Sequence, residues 1–141
     1  MRCAAIDLGK VRVGLAVSDE LGLLAHARPF LDGTNPGRVV DALVTFASEE
    51  GVDLFIVGLP RTLEGREGAA ARRARVFARN LQVRTGRRVI LMDERLTTKQ
   101  ASQQLLTVGH RARKQRTLID SVSAALLLQA YLDASQIKPK R

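Results

Sequence analysis

The chain has no tryptophan, one tyrosine and one cysteine, and aromatic residues make up 4% of its 141 positions. So few flat rings leave little for stacking against bases, so a sequence-blind single-strand binder built on stacking is not expected. A single cysteine excludes an intrachain disulfide, which suits a reducing compartment, and a cytoplasmic protein is expected. Cys3 lies in an apolar run and reads as an inert core thiol, against the alternative of a reactive or intermolecular one. Two histidines are too few to favour a zinc enzyme. No apolar run nears the ~20 residues that cross a bilayer. The N-terminus shows no signal-peptide pattern, and no lipidation motif is present, so a membrane partner is not expected.

What the chain does have is positive charge. It carries 23 Lys and Arg against 14 Asp and Glu, a formal net charge of +9. That balance favours an anionic partner, and nucleic acid is the common one. Hydrophobic residues reach 45%, and the length fits one domain over residues 1–141 with a real core.

Against this basic background three acids stand in costly places. Asp7 closes the apolar run Cys3–Ile6, and Glu94 follows the run Val89–Met92. Asp120 sits inside the apolar stretch Leu118–Leu126. A charge in such a setting needs a partner or a metal, or it stays protonated. Two strand ends and one helix face could converge on one point, which is how hard cations such as Mg²⁺ are held by carboxylate oxygens. An acidic metal site on a basic body points to an enzyme that cuts nucleic acid. Each acid also has a plainer reading. Asp7 and Glu94 could pair with Arg12 and Arg95, and Asp120 could cap or turn within a helix. Asp93, next to Glu94, should face the other side of a sheet and serve structure.

Hydrophobic periodicity predicts strands over residues 3–9, 11–18 and 23–30, with Lys10-Val11 as the tight connection of a hairpin. Residues 32–37 read as a loop, 38–50 as a helix stopped by Gly51, and 53–58 as a buried parallel strand. A loop over 61–68 leads to a helix over 69–85, stopped by Gly86, and to a strand over 89–92. Further helices are expected over 99–108, capped by Thr97 or Thr98, and over 117–134. Between them lies a basic loop, 109–116, and a basic tail closes the chain at 138–141. This order implies an α/β fold: a mixed five-stranded sheet, antiparallel hairpin first and parallel strands after, flanked by helices. Sites in such sheets form beyond the carboxyl ends of strands, where Asp7 and Glu94 fall.

Four ordered segments carry a resemblance. They are Asp7-Leu8-Gly9 with Val13-Gly14-Leu15-Ala16, Val57-Gly58-Leu59-Pro60 with Gly65 and Gly68, Asp93-Glu94-Arg95-Leu96-Thr97-Thr98, and Ile119-Asp120-Ser121-Val122-Ser123-Ala124-Ala125. Together they resemble the YqgF (RuvX) family of small bacterial proteins, described as pre-16S rRNA nucleases and as Holliday-junction resolvase-like. The likeness spans almost the whole chain. It implies an RNase H-like fold and phosphodiester hydrolysis with Mg²⁺ or Mn²⁺, one ion or two, held by catalytic Asp7, Glu94 and Asp120. It also implies a role in maturing the small-subunit ribosomal RNA. The best-known RNase H-like nucleases use four acids; here Thr117 and Ser123, one turn either side of Asp120, supply none.

The basic segment Arg111, Arg113, Lys114 and Arg116 directly precedes Asp120 and is the leading strand-binding candidate. Lys10 and Arg12 are phosphate contacts beside the acids or plain solvated charges. The Arg72, Arg73, Arg75, Arg79 cluster divides between a solvated helix back and a nucleic-acid face. Gly65 and Gly68 read as loop mobility over the site or as an ordinary turn. The partner is then structured RNA, with branched DNA as the alternative substrate, and the state is monomer or homodimer. A resolvase needs paired cuts and hence two sites. A non-catalytic binding module is the third reading.

Overall fold

The computed structural model describes residues 1–61, 65–94 and 121–137. The helix expected over 99–108, the basic loop, Asp120 and the basic tail lie outside the described residues. The elements are β1 (Cys3–Leu8), β2 (Arg12–Ser18), β3 (Ala25–Asp32), α1 (Pro36–Glu50), β4 (Leu54–Leu59), α2 (Ala69–Thr85), β5 (Arg88–Asp93) and α3 (Val122–Ile137). The strands form one sheet in the order β3-β2-β1-β4-β5. β1 pairs antiparallel with β2 and parallel with β4, and β4 runs parallel to β5. The mixed five-stranded α/β sheet is the one expected.

Alternation along the strands sorts the side chains into two cores. Ala4, Ile6, Val13, Leu15, Phe55 and Val57 meet α1 and α2 on one face. Cys3, Ala5, Ala16, Leu54 and Ile56 meet Ala124, Leu127, Leu128 and Leu132 of α3 on the other. The central strands are therefore buried on both sides, which is why they read as continuous apolar runs. Cys3 is one of these core residues, and burial raises its thiol pKa, as an inert cysteine requires.

Boundaries differ from the expected ones at three elements. The last helix, expected over 117–134, runs over Val122–Ile137, and Ser121 stands outside it with its hydroxyl bound to the Leu15 N–H. α1 begins at Pro36 inside the predicted loop: the Asn35 side chain accepts from the Arg38 N–H, and proline suits the first helical turn, where no donor is missed. β3 begins two residues later than the strand-like run. Asp19 binds the Gly22, Leu23 and Leu24 backbone into a turn that holds Leu23 and Leu24 out of the sheet.

α3 is pinned to the sheet by a buried polar contact. The β2–β3 register shifts between Val13 and Leu15. At the shift, the Leu15 N–H donates to Ser121 Oγ at 2.8 Å. Ser121 is 1% exposed, so no water replaces that bond. Ser121→Ala should cost about 1–3 kcal/mol, the penalty of a buried unpaired donor. Urea unfolding checks this; a midpoint equal to the wild type would mean the bond contributes nothing.

Candidate active site

β1 is the strand where the antiparallel and parallel halves meet, and Asp7 stands near its carboxyl end. Parity with Cys3 and Ala5 turns Asp7 to the α3 face. Its neighbours across the sheet are both glycines. Gly14 pairs with it on β2, and the β1–β4 register, Ile6 against Val57, brings Gly58 level on the other side. The carboxyl thus lies in a bare slot.

Glu94 follows β5 and is held there by its N–H, which donates to the Leu59 carbonyl at 3.2 Å. Its side chain lies across Gly58: a Cβ built on Gly58 would fall 2.6 Å from Glu94 Oε1. So Gly58 is the gap through which Glu94 reaches Asp7, and the two carboxyls hydrogen-bond. Such a bond needs a proton between them. Burial chiefly, then the charge of Asp7, pushes the Glu94 carboxyl up from 4.5 to about 7. Burial likewise raises Asp7, while its bond with Glu94 pulls the other way.

This has a consequence for stability. A carboxyl raised in the fold binds its proton over a window where the unfolded chain has released it. Stability of the metal-free chain should therefore fall as pH rises from about 4.5 to about 7, and level off above. Asp19, Asp32 and Glu67 are lowered by hydrogen bonds, so their contribution is lost only at more acid pH. Melting curves at pH 5.5 and 8 check this, and Glu94→Gln should flatten the difference. A melting temperature that rises across the window would refute the shared proton.

Beside Asp7 opens a cavity of about 220 Å³, lined also by Arg12, Gly14, Phe30, Ser121 and Ser123. Arg12 does not pair with Asp7 among the described residues; its guanidinium lies 5.4 Å from the Phe30 ring centroid. Lys10 is exposed on the β1–β2 turn and lines a different hollow, between α1 and α2. Asp93 faces away from Glu94, as alternation requires, and its carboxylate lies 3.7 Å from Arg61. Arg61 continues to Glu67, and Glu67 to Arg75.

Thus Asp7 and Glu94 come together, with Arg12 beside Asp7. Asp120, Arg111, Arg113, Lys114 and Arg116 lie outside the described residues. Asp120 is bonded to Ser121, which lines the Asp7 cavity. Among the described residues no group of three or more acidic, His or Cys side chains is gathered. The sequence reading passed over three site residues. Gly58 had a signal, a glycine inside an apolar strand, which often marks close approach. Ser121 had none, since the sequence reading placed it inside the helix over 117–134. Phe30 had none.

No helix among the described residues is long and apolar enough to cross a membrane. A protein from Anaeromyxobacter sp. (strain K), named "Putative pre-16S rRNA nuclease", is 40% identical over 133 residues, 94% of this chain and 97% of its own. One of the same name from Moorella thermoacetica is 39% identical over 94% of this chain and 95% of its own. Among solved structures, Thermus thermophilus RuvC in complex with a Holliday junction substrate superposes with a TM-score of 0.62 at 17% identity, covering 99% of this chain and 98% of that one. The fowlpox virus resolvase, in complex with Holliday junction DNA, gives 0.60 at 14% identity, covering 98% and 100%. At such identities these two show the RNase H-like fold alone. The sequence pattern of the RuvX family, described as Holliday junction resolvase, matches residues 1–134, and the chain belongs to that family.

Proposed function

We propose that this protein is a divalent-metal-dependent nuclease that hydrolyses phosphodiester bonds in the precursor of 16S rRNA. The observation that carries the reading is the placing of two carboxyls together at the carboxyl ends of parallel strands: Asp7 between Gly14 and Gly58, and Glu94 laid across Gly58 toward it. Two carboxyls brought side by side at a half-buried point, each raised in pKa by burial, form a poor structural device. They form a good cation seat, since a cation replaces the shared proton and removes the repulsion.

The donor set fits Mg²⁺ or Mn²⁺, one ion or two: hard carboxylate oxygens and no nitrogen or sulfur. Asp7, Glu94 and Asp120 are the residues proposed to hold it, with Asp7 central. Bound there, the cation lowers the pKa of water and offsets charge on the leaving oxygen. The rest falls to the chain. Gly58 leaves the space that the Glu94 side chain occupies beside Asp7. Phe30 holds the Arg12 guanidinium at the cavity wall, where it can fix one phosphate oxygen in a forked contact. Ser121 ties the start of α3 to β2, the strand that pairs with β1 beside Asp7.

The family description favours a second reading, cleavage of a branched DNA junction. Labelled precursor rRNA and a four-way DNA junction, incubated side by side with Mg²⁺ or Mn²⁺ and with chelator, separate the two. We expect metal-dependent cutting of the RNA. Symmetric cutting of the junction alone would transfer the activity to DNA. Binding without cutting of either would leave a non-catalytic module.

A further inference from the structure

A second, larger hollow lies on the opposite face of the sheet. It runs between α1 and α2, about 1000 Å³ in volume. Its floor is core, with Val13, Val40 and Phe77 among its lining. Its rim is basic. Lys10, Arg72, Arg73 and Arg79 are exposed there. Arg75 is bound by Glu67 and Arg84 by Asp41. Among the described residues no carboxylate pairs with Arg72, Arg73 or Arg79. Of the four α2 arginines that line the groove, only Arg84 has a carboxylate partner among the described residues, so Arg72, Arg73 and Arg79 present an anion-binding row.

The groove and the Asp7 cavity meet the same turn. Gly9 lines both. It belongs to the turn between them, and the turn itself requires a glycine there: a Cβ at Gly9 would fall 2.4 Å from the Arg12 carbonyl oxygen. Gly33, whose N–H donates to the Val11 carbonyl at 2.7 Å, adds another residue without a side chain at this turn. From this turn Lys10 lines the groove and Arg12 lines the cavity. A flexible anionic chain lying over Gly9 would meet a cation on each side.

We infer that the α1–α2 groove seats the stretch of polynucleotide beyond the bond being cut, its phosphates held by Lys10, Arg72, Arg73 and Arg79. This rests on the nuclease reading and adds to it: the substrate continues past the acids, over the β1–β2 turn and onto the far face of the sheet. An end that stopped at the cut would forgo these contacts. The exposed Val76 and Val83 on α2 would also suit an acidic amphipathic protein helix. The polynucleotide is favoured by the turn at Gly9, which lines both the groove and the Asp7 cavity and carries a cation toward each, an arrangement that a separate protein partner does not require.

The experiment is the salt dependence of binding. A fluorescein-labelled single-stranded RNA from the precursor is titrated without metal across a KCl series. The variants are Arg72→Ala/Arg73→Ala/Arg79→Ala and, as a charge control, Arg87→Ala/Arg88→Ala at the other end of β5. All five side chains are exposed, and alanine favours the helix. The triple variant should flatten the slope of log Kd against log salt by about 2, three contacts at ~0.7 each. It should also weaken binding at least about tenfold near physiological salt. The control should shift neither beyond its loss of general charge. An unchanged slope in the triple variant would overturn the groove as a polynucleotide seat and leave it to a protein helix or to solvent. Asp7→Asn is assayed for cleavage in parallel. If it still cuts while the triple variant has lost its slope, the acid site is wrong and the groove stands.

Discussion

Asp7→Asn should lower the cleavage rate at least about 10³-fold, ~4 kcal/mol of barrier, and at the same time raise the melting temperature of the metal-free protein at pH 8. The two effects have one origin. Asp7 is half-buried, lacks an ion pair among the described residues and shares a hydrogen bond with a second carboxyl. At alkaline pH the pair loses its proton, and two carboxylates face each other with burial opposing both charges. Asparagine is nearly the same shape, carries no charge and can donate its amide hydrogen to Glu94. The repulsion disappears, the Glu94 pKa moves down toward its ordinary value, and the fall in stability between pH 5.5 and 8 should largely vanish. A site kept at the expense of stability is the usual mark of function. Binding of RNA without metal should persist, since the basic residues are untouched. Cleavage kinetics and melts in chelator check the pair of effects together. Wild-type cutting by the variant would refute the assignment. Lost cutting with an unchanged pH profile of melting would refute the shared-proton account but not the role of Asp7.

Gly58→Ala should lower kcat on the order of 10²-fold with the fold intact. The added Cβ would stand 2.6 Å from Glu94 Oε1, 3.1 Å from its Cγ and 3.3 Å from its Cδ. Neighbours that close must move. What is struck is the end of a flexible side chain, so the sheet survives and the carboxyl swings aside. A displacement of about 1 Å in a reacting group can cost ~10²-fold. Gly14→Ala is the matched control. A Cβ there meets Ala124 Cβ and Asp7 Cβ at 3.4 Å, which is ordinary contact. It should change kcat only a few-fold. Circular dichroism and urea midpoints confirm folding, and the metal concentration for half-maximal rate should rise for Gly58→Ala alone. Equal losses in both variants would mean that crowding anywhere beside Asp7 is harmful and that Gly58 has no special relation to Glu94.

The elements were legible in the sequence where burial is two-sided or periodicity is strong. Cys3–Ile6, Leu54–Val57 and Ala69–Thr85 have patterns that admit few alternatives, and Gly51 and Gly86 take the left-handed φ that helix stops favour. Legibility failed at β3, whose half-exposed residues leave no clean alternation and whose start is set by the Asp19 turn. It failed again at Pro36, where loop composition concealed a helix start.

The sequence by itself determined which acids are costly. An apolar run ended by Asp7, and another followed by Glu94, declares an unpaid desolvation, because hydrophobic neighbours predict burial before any contact is known. It also determined that the body is basic and that Asp93 and Glu94 face opposite ways, since alternation is a local property of strands. What only the tertiary structure decided is who meets whom. Asp7 and Glu94 are 87 residues apart in the chain, and their contact exists because β4 lies between β1 and β5 and carries a glycine at that level. The pairing of Leu15 with Ser121, the turning of Arg12 onto Phe30 and the place of Gly9 in the lining of both groove and cavity have the same character. Periodicity reports which face a residue occupies. Strand order and register decide what stands opposite it, and these follow from packing the whole sheet between its helices.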